Sequence, residues 1–118
     1  MATGDRTETR VLGPVELPTT PGLINGNPSN AVAASRVWVV KQIALCNRTG
    51  TDALVYLALA PNGVSIANSH YFMWALPIAA SDTLVLDTGI VMVTGDQFYG
   101  YADRAGVNII VNGWVKEV

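Results

Sequence analysis

From Arg36 to Val118 the chain is a train of short apolar runs, rich in β-branched residues and separated by turn residues. The runs are RVWVVKQIALCN, ALVYLALA, SDTLVLDTGIVMV, DQFYGYA and VNIIVNGWVKEV, with NRTGTD, PNG, TGD and DRAG between them. Runs of this length with a period near two, bounded by Gly, Asn and Asp, are strands joined by tight turns. The pattern predicts an all-β fold: an antiparallel two-sheet sandwich, jelly-roll-like, of about seven or eight strands. With 118 residues the chain is expected to form one core without a metal or a disulfide.

The faces of the strands can be read from the alternation. In Val37–Leu45 the odd positions Val37, Val39, Ile43 and Leu45 form one face, interrupted by Lys41. The even positions Trp38, Val40, Ala44 and Cys46 form the other, interrupted by Gln42. Both faces are largely apolar, as in a central strand or one with a core on one side and an interface on the other. Val55, Leu57 and Leu59 share a side opposite Tyr56, and Leu84 and Leu86 point away from Thr83, Val85 and Asp87. Val107, Ile109, Val111 and Val115 share a face, and Gly113 among them marks a bulge or a close backbone approach. Asn68–Leu76 reads as a strand or a helical turn, its aromatic content and the following Pro77 favouring an extended chain, and Gly89–Val93 reads as a short strand of its own.

The chain divides near Arg36. The preceding segment holds four of the six prolines (Pro14, Pro18, Pro21 and Pro28) and none of the nine aromatics. Proline fixes φ and removes a backbone donor, so residues 1–35 are expected to be an extended Pro-rich N-terminal arm and residues 36–118 the β-sandwich domain. Val11, Leu12, Val15 and Leu17 are the candidate anchors by which the arm adds a strand to a neighbouring subunit.

Charge narrows the function classes. Only 14% of residues are charged, where about 25% is usual, so part of the surface is expected to be covered in an assembly. Net charge is −2 and the seven basic residues are scattered, which argues against nucleic acid as a partner. No run of about 18 apolar residues offers a membrane span, and MATGDRTETR lacks the apolar stretch of a secretory signal.

A catalytic set is not found. His70 is the one histidine, and a packed or hydrogen-bonded role at a strand edge is expected for it. Cys46, the one cysteine, reads as a small hydrophobe in an apolar strand. One His and one Cys do not make a zinc site, and Asp82, Asp87, Asp96 and Asp103 stand singly at turns, where aspartate commonly bonds its own backbone. No phosphate-binding glycine motif is present. No cofactor and no metal are expected, and the chain reads as a non-enzyme. Asn47-Arg48-Thr49 matches the glycosylation tripeptide and reads as a coincidental loop. Two aromatic groups remain: Tyr71, Phe72 and Trp74, read as core or subunit-interface packing, and Tyr99 with Tyr101, which share a strand face.

The order of these motifs is familiar. VVKQIALCNRTGTDALVYLALAPNG, then ALPIAASDTLVLDTGIVMVTGDQFYGYA, then VNIIVNGWVKEV resembles the small β-sandwich virion structural proteins of tailed bacteriophages, of the capsid decoration or minor tail protein type. The resemblance spans about residues 37–118 and carries no catalytic residue. It implies a virion protein made in the host bacterial cytoplasm, assembled as a homo-oligomer with a trimer favoured. Its partners would be the phage major capsid or tail proteins. The alternative is a minor tail or tail-tip component that binds host glycan through surface aromatics, with Tyr99 and Tyr101 as the contacts. The HYFMW segment, containing Tyr71, Phe72 and Trp74, departs from the family pattern and is the expected interface of this chain.

Overall fold

A computed structural model describes residues 6–24, 31–62 and 65–117. Among these residues eight strands run β1 (Arg6–Glu16), β2 (Gly22–Leu23), β3 (Arg36–Asn47), β4 (Ala53–Ala60), β5 (Tyr71–Ile78), β6 (Thr83–Met92), β7 (Gln97–Ala102) and β8 (Val107–Glu117). They form two four-stranded sheets, ordered β1-β8-β3-β6 and β2-β7-β4-β5, with every pairing antiparallel. Strand β1 thus pairs with β8, β2 with β7, β3 with β6 and β4 with β5. The first half of the chain lies against the second as one long hairpin, rolled so that β8 meets β3 and β7 meets β4. That is the jelly roll.

Between the sheets lies one core. The first sheet contributes Leu12, Val40, Ile43, Leu45, Ile109 and Val111, and the second contributes Val55, Leu57, Ile78 and Phe98, all essentially without solvent contact. The segment 68–76 is extended from Tyr71 onward, as β5, but opens on one turn of 3-10 helix over Asn68–His70. Gly89–Val93 does not form a separate strand, because β6 runs through Gly89 to Met92.

The leader takes a different place from the one expected. Residues 6–16 form an edge strand of the chain's own sheet, paired with β8 from Arg6↔Lys116 to Glu16↔Asn108. Val11, Leu12 and Leu17 are buried in the same core as the rest, as are Ile24 and Val32. The division at Arg36 therefore separates no independent arm among the described residues. The physical reason is area: without an aromatic, five aliphatic side chains still remove a continuous apolar strip from water.

Strand β3 corrects the uniform alternation. Against β8, Val40 pairs with Gly113 and Gln42 with Asn112, so Lys41 has no opposite residue and forms a bulge. One extra residue reverses the parity. Trp38 and Val40 therefore share the core face with Ile43 and Leu45, while Ala44 and Cys46 face outward and half-buried. Strict alternation in either register would bury Lys41 or Gln42, at a cost of several kcal/mol for an unpaired charge or amide. With the bulge both point out, and the Lys41 ammonium sits 5.1 Å from the centre of the Trp114 ring. Gly113 marks the close approach: a Cβ there would run into the Val39 carbonyl oxygen.

Asn47 at the end of β3 is the one fully buried amide among the described residues, and its bonds are complete. The two Nδ2 hydrogens are shared among the carbonyls of Thr51 (2.9 Å), Ile78 (3.1 Å) and Ala79 (3.3 Å). Oδ1 accepts from the Thr49 N–H (3.0 Å) and the Thr49 hydroxyl (2.7 Å). These bonds tie the end of β3 to the start of β4 and the end of β5. They also occupy the nitrogen that a glycan would need, so in the folded chain the Asn47-Arg48-Thr49 tripeptide is closed to glycosylation.

Candidate functional site

The groups with chemical potential are dispersed. His70 ends the 3-10 turn before β5, where its Nδ1 accepts the Ala67 N–H at 2.9 Å and caps the turn. Cys46 lies on the other sheet, half-buried on its outer face between Thr83 and Asn108. Asp82 accepts the Thr83 N–H, Asp96 the Val93 N–H and Asp103 the Leu54 N–H, each at 2.8–2.9 Å. Among the described residues no three His, Cys, Asp or Glu side chains come together, and no helix is long and apolar enough to cross a membrane.

The distinctive surface is the outer face of the β2-β7-β4-β5 sheet. Alternation from the inward-facing Val55, Leu57 and Phe98 turns Tyr56, Tyr99 and Tyr101 outward on adjacent strands. Register places Tyr56 opposite Tyr101 and Ala58 between Tyr99 and Tyr71. Gly100 lets β7 approach, since a Cβ there would strike the Tyr56 carbonyl oxygen. The Tyr56 and Tyr101 rings then stack at 4.5 Å, 7° from parallel.

Strand β5 is shaped to add to this layer. Its pairing with β4 slips twice, between Tyr71 and Met73 and between Met73 and Leu76. Ala75 takes a left-handed backbone (φ 52°) at the second slip. The extra residues let Met73 enter the core while Tyr71 and Trp74 both face outward. Trp74 stands nearly perpendicular to Tyr56 (5.0 Å, 86°) and to Tyr71 (5.0 Å, 88°), and Tyr71 meets Tyr99 edge-on at 6.4 Å. Five rings therefore form one continuous layer, sealed beneath by the fully buried Ala58. Burial and then the neighbouring Tyr99 and Tyr101 phenols hold the Tyr71 phenol above its ordinary pKa of 10.0. A shallow cavity of about 300 Å³ adjoins Tyr99, lined also by Leu23, Ala60, Ser65 and Gln97.

The other sheet carries a second apolar surface. Strand β6 is its edge, and Val85, Val91 and Val93 beside and along it are each more than half exposed. Pairing aligns them with the outward residues of β3: Val91 with Val39 and Val85 with Ala44. Ala44 continues to Ile110 and Val39 to Trp114 on β8.

The residues singled out in the sequence separate into two fates. Val11, Leu12 and Leu17 are core residues of their own chain, and Val15 packs half-buried against them. Tyr71, Trp74, Tyr99 and Tyr101, taken from two separate groups, are brought together on one face, with Phe72 partly exposed beside them. Tyr71 and Trp74 are thus surface residues and not core packing. Tyr56 was missed as the keystone of the layer; its signal was its position as the one aromatic on the non-core side of β4.

Compared with known protein families and with curated proteins, the chain matches no family model and none of those proteins.

Proposed function

We propose that this chain is a non-enzymatic accessory structural protein of a tailed-phage virion, which decorates and stabilises the capsid through oligomeric β-sandwiches. The observation that carries the reading is the exposed valines on the outer face at β6, which form two apolar patches on either side of Asp87: Val85 beside Ala44 and Ile110, and Val91 with Val93 beside Val39. Clustered exposed valines on a sparsely charged domain make the kind of surface that neighbours cover. The resemblance of the motif order to that of phage virion proteins, together with the jelly-roll topology, favours the same reading. A homotrimer is the favoured assembly, with the major capsid or tail proteins as partners.

Sedimentation of the purified chain and its co-sedimentation with empty phage shells and isolated tails test the proposal. Association that is weakened by Val91→Asp supports it. A monodisperse monomer with no affinity for shell or tail refutes it.

A second reading, a minor tail or tail-tip component that binds host glycan, is favoured by one specific observation. Tyr99 and Tyr101 stand on an outer sheet face within a five-ring layer and are not enclosed in the core.

A further inference from the structure

The aromatic layer belongs to a sheet with an unusual property. None of its four strands (GL, ALVYLALA, YFMWALPI and QFYGYA) contains a charged residue. The charged residues that lie in strands all belong to the other sheet, among them Arg36, Lys41, Asp87 and Lys116. Of nine aromatics, only Trp38 and Phe98 are buried. The chain thus places most of its ring area outside the core, on a face free of formal charge, and leaves Trp74 60% exposed.

We infer that this face is a binding platform for neutral saccharide, with Trp74 as its central contact and Tyr56, Tyr71, Tyr99 and Tyr101 as its support and rim. This names the ligand class and ring set of the glycan reading and rests on it. It does not depend on where a virion would carry the chain.

Sugar and protein present matching surfaces. A pyranose presents an apolar C–H face and an equatorial belt of hydroxyls. An aromatic ring stacks against the first, and phenol hydroxyls, each a donor and an acceptor, meet the second. Here an exposed indole stands at the centre of a layer whose other four rings carry hydroxyls. Two of those phenol rings, on Tyr71 and Tyr99, meet edge-on at 6.4 Å, and those of Tyr56 and Tyr101 stack at 4.5 Å.

The ring-on-ring contacts hold the platform in shape before any ligand arrives, which lowers the ordering cost of binding. Stacking of Tyr56 on Tyr101 fixes one wall, and the two perpendicular contacts fix Trp74 between Tyr56 and Tyr71. The cavity beside Tyr99, with Gln97 and Ser65 in its lining, offers room and further polar groups for a second sugar unit. Absence of Lys and Arg from the sheet disfavours phosphate-bearing ligands and nucleic acid, and gives no counter-charge for an acidic sugar.

The test uses the purified full chain. Tryptophan emission and indole N–H resonances are followed while maltohexaose, xylohexaose and linear galacto-oligosaccharides are added, with oligogalacturonate as the charged control. Saturable binding of at least one neutral probe in the millimolar range is expected, with no binding of the acidic one. Trp74→Ala should weaken it at least tenfold, as for a central aromatic anchor, and Trp74→Phe should restore part of the loss. Trp114→Ala, on the opposite sheet, should leave it unchanged, and thermal melting checks that each variant is folded. No response to any neutral probe at ~10 mM overturns the inference, as does equal binding by folded Trp74→Ala. Should Trp74→Ala alter only the sedimentation of the chain, the face is a subunit contact and the inference also fails. Shell and tail co-sedimentation is scored separately, so the loss of either proposal leaves the other standing.

Discussion

Leu12→Ala decides whether the Pro-rich leader is part of the fold. Leu12 is fully buried in the common core and its strand pairs with β8, where Leu12 lies opposite Val111. Removing a buried leucine to alanine costs about 3–4 kcal/mol, transfer plus residual cavity. Unfolding entropy near 2.1 cal/mol/K per residue gives about 0.25 kcal/mol/K for a chain of this length, so Tm should fall by ~12–16 °C. Leu23→Ala is the internal control: it lies in the same leader but is 54% exposed, and should move Tm by no more than ~2 °C. Melting followed by circular dichroism at two protein concentrations tenfold apart completes the assay. Because β1 docks on its own chain, the loss should be the same at both concentrations. A melting point for Leu12→Ala close to the control, or a loss that shrinks on dilution as in an arm held by a neighbour, would refute the assignment of β1 to this core.

Asn47→Ala should destabilise by about 2–4 kcal/mol in chemical denaturation, because it strips partners from buried carbonyls and from the Thr49 N–H; a cost under ~1 kcal/mol would contradict that bonding. Gly113→Ala should reduce stability by at least ~1 kcal/mol through collision with the Val39 carbonyl oxygen, whereas Gly50→Ala, in open space, should have little effect; comparable melting points would show that β3 can shift. The Tyr71 phenol, raised by burial and then by Tyr99 and Tyr101, should titrate above pH 10.0 in ultraviolet absorbance, and Tyr71→Phe should remove that component. Its folded pKa exceeds the unfolded one, so its stabilising contribution is complete below about pH 10 and is lost as pH rises through the folded value. A titration indistinguishable from free tyrosine would count against the packed ring layer.

Particular residues show how far the sequence reaches. The apolar runs located the core strands, because a period of two is a direct record of which side meets water. The bulge at Lys41 was legible in a way that simple alternation hides: each face of β3 was interrupted once, by Lys41 on one and Gln42 on the other. Two polar residues in succession cannot both avoid the core unless the strand adds a residue. Leader burial was not legible, since its aliphatics are few and its prolines argue for irregular chain. Only the strip left open beside β8 makes them core. The aromatic layer was half visible as two separate clusters, Tyr71–Trp74 and Tyr99–Tyr101.

What the sequence determined by itself is the class: strands from period two, turns from Gly, Asn and Asp, and a protein poor in charge. Those are local properties, written into short windows of chain. What the tertiary structure decided is adjacency. Pairing β1 with β8 and β4 with β7 joins segments far apart in sequence. Backbone hydrogen bonds can join any two strands, so their choice of partner follows from how the whole set closes its core. That closure places Tyr56, Tyr71, Trp74, Tyr99 and Tyr101 on one charge-free face, which no window of the sequence contains.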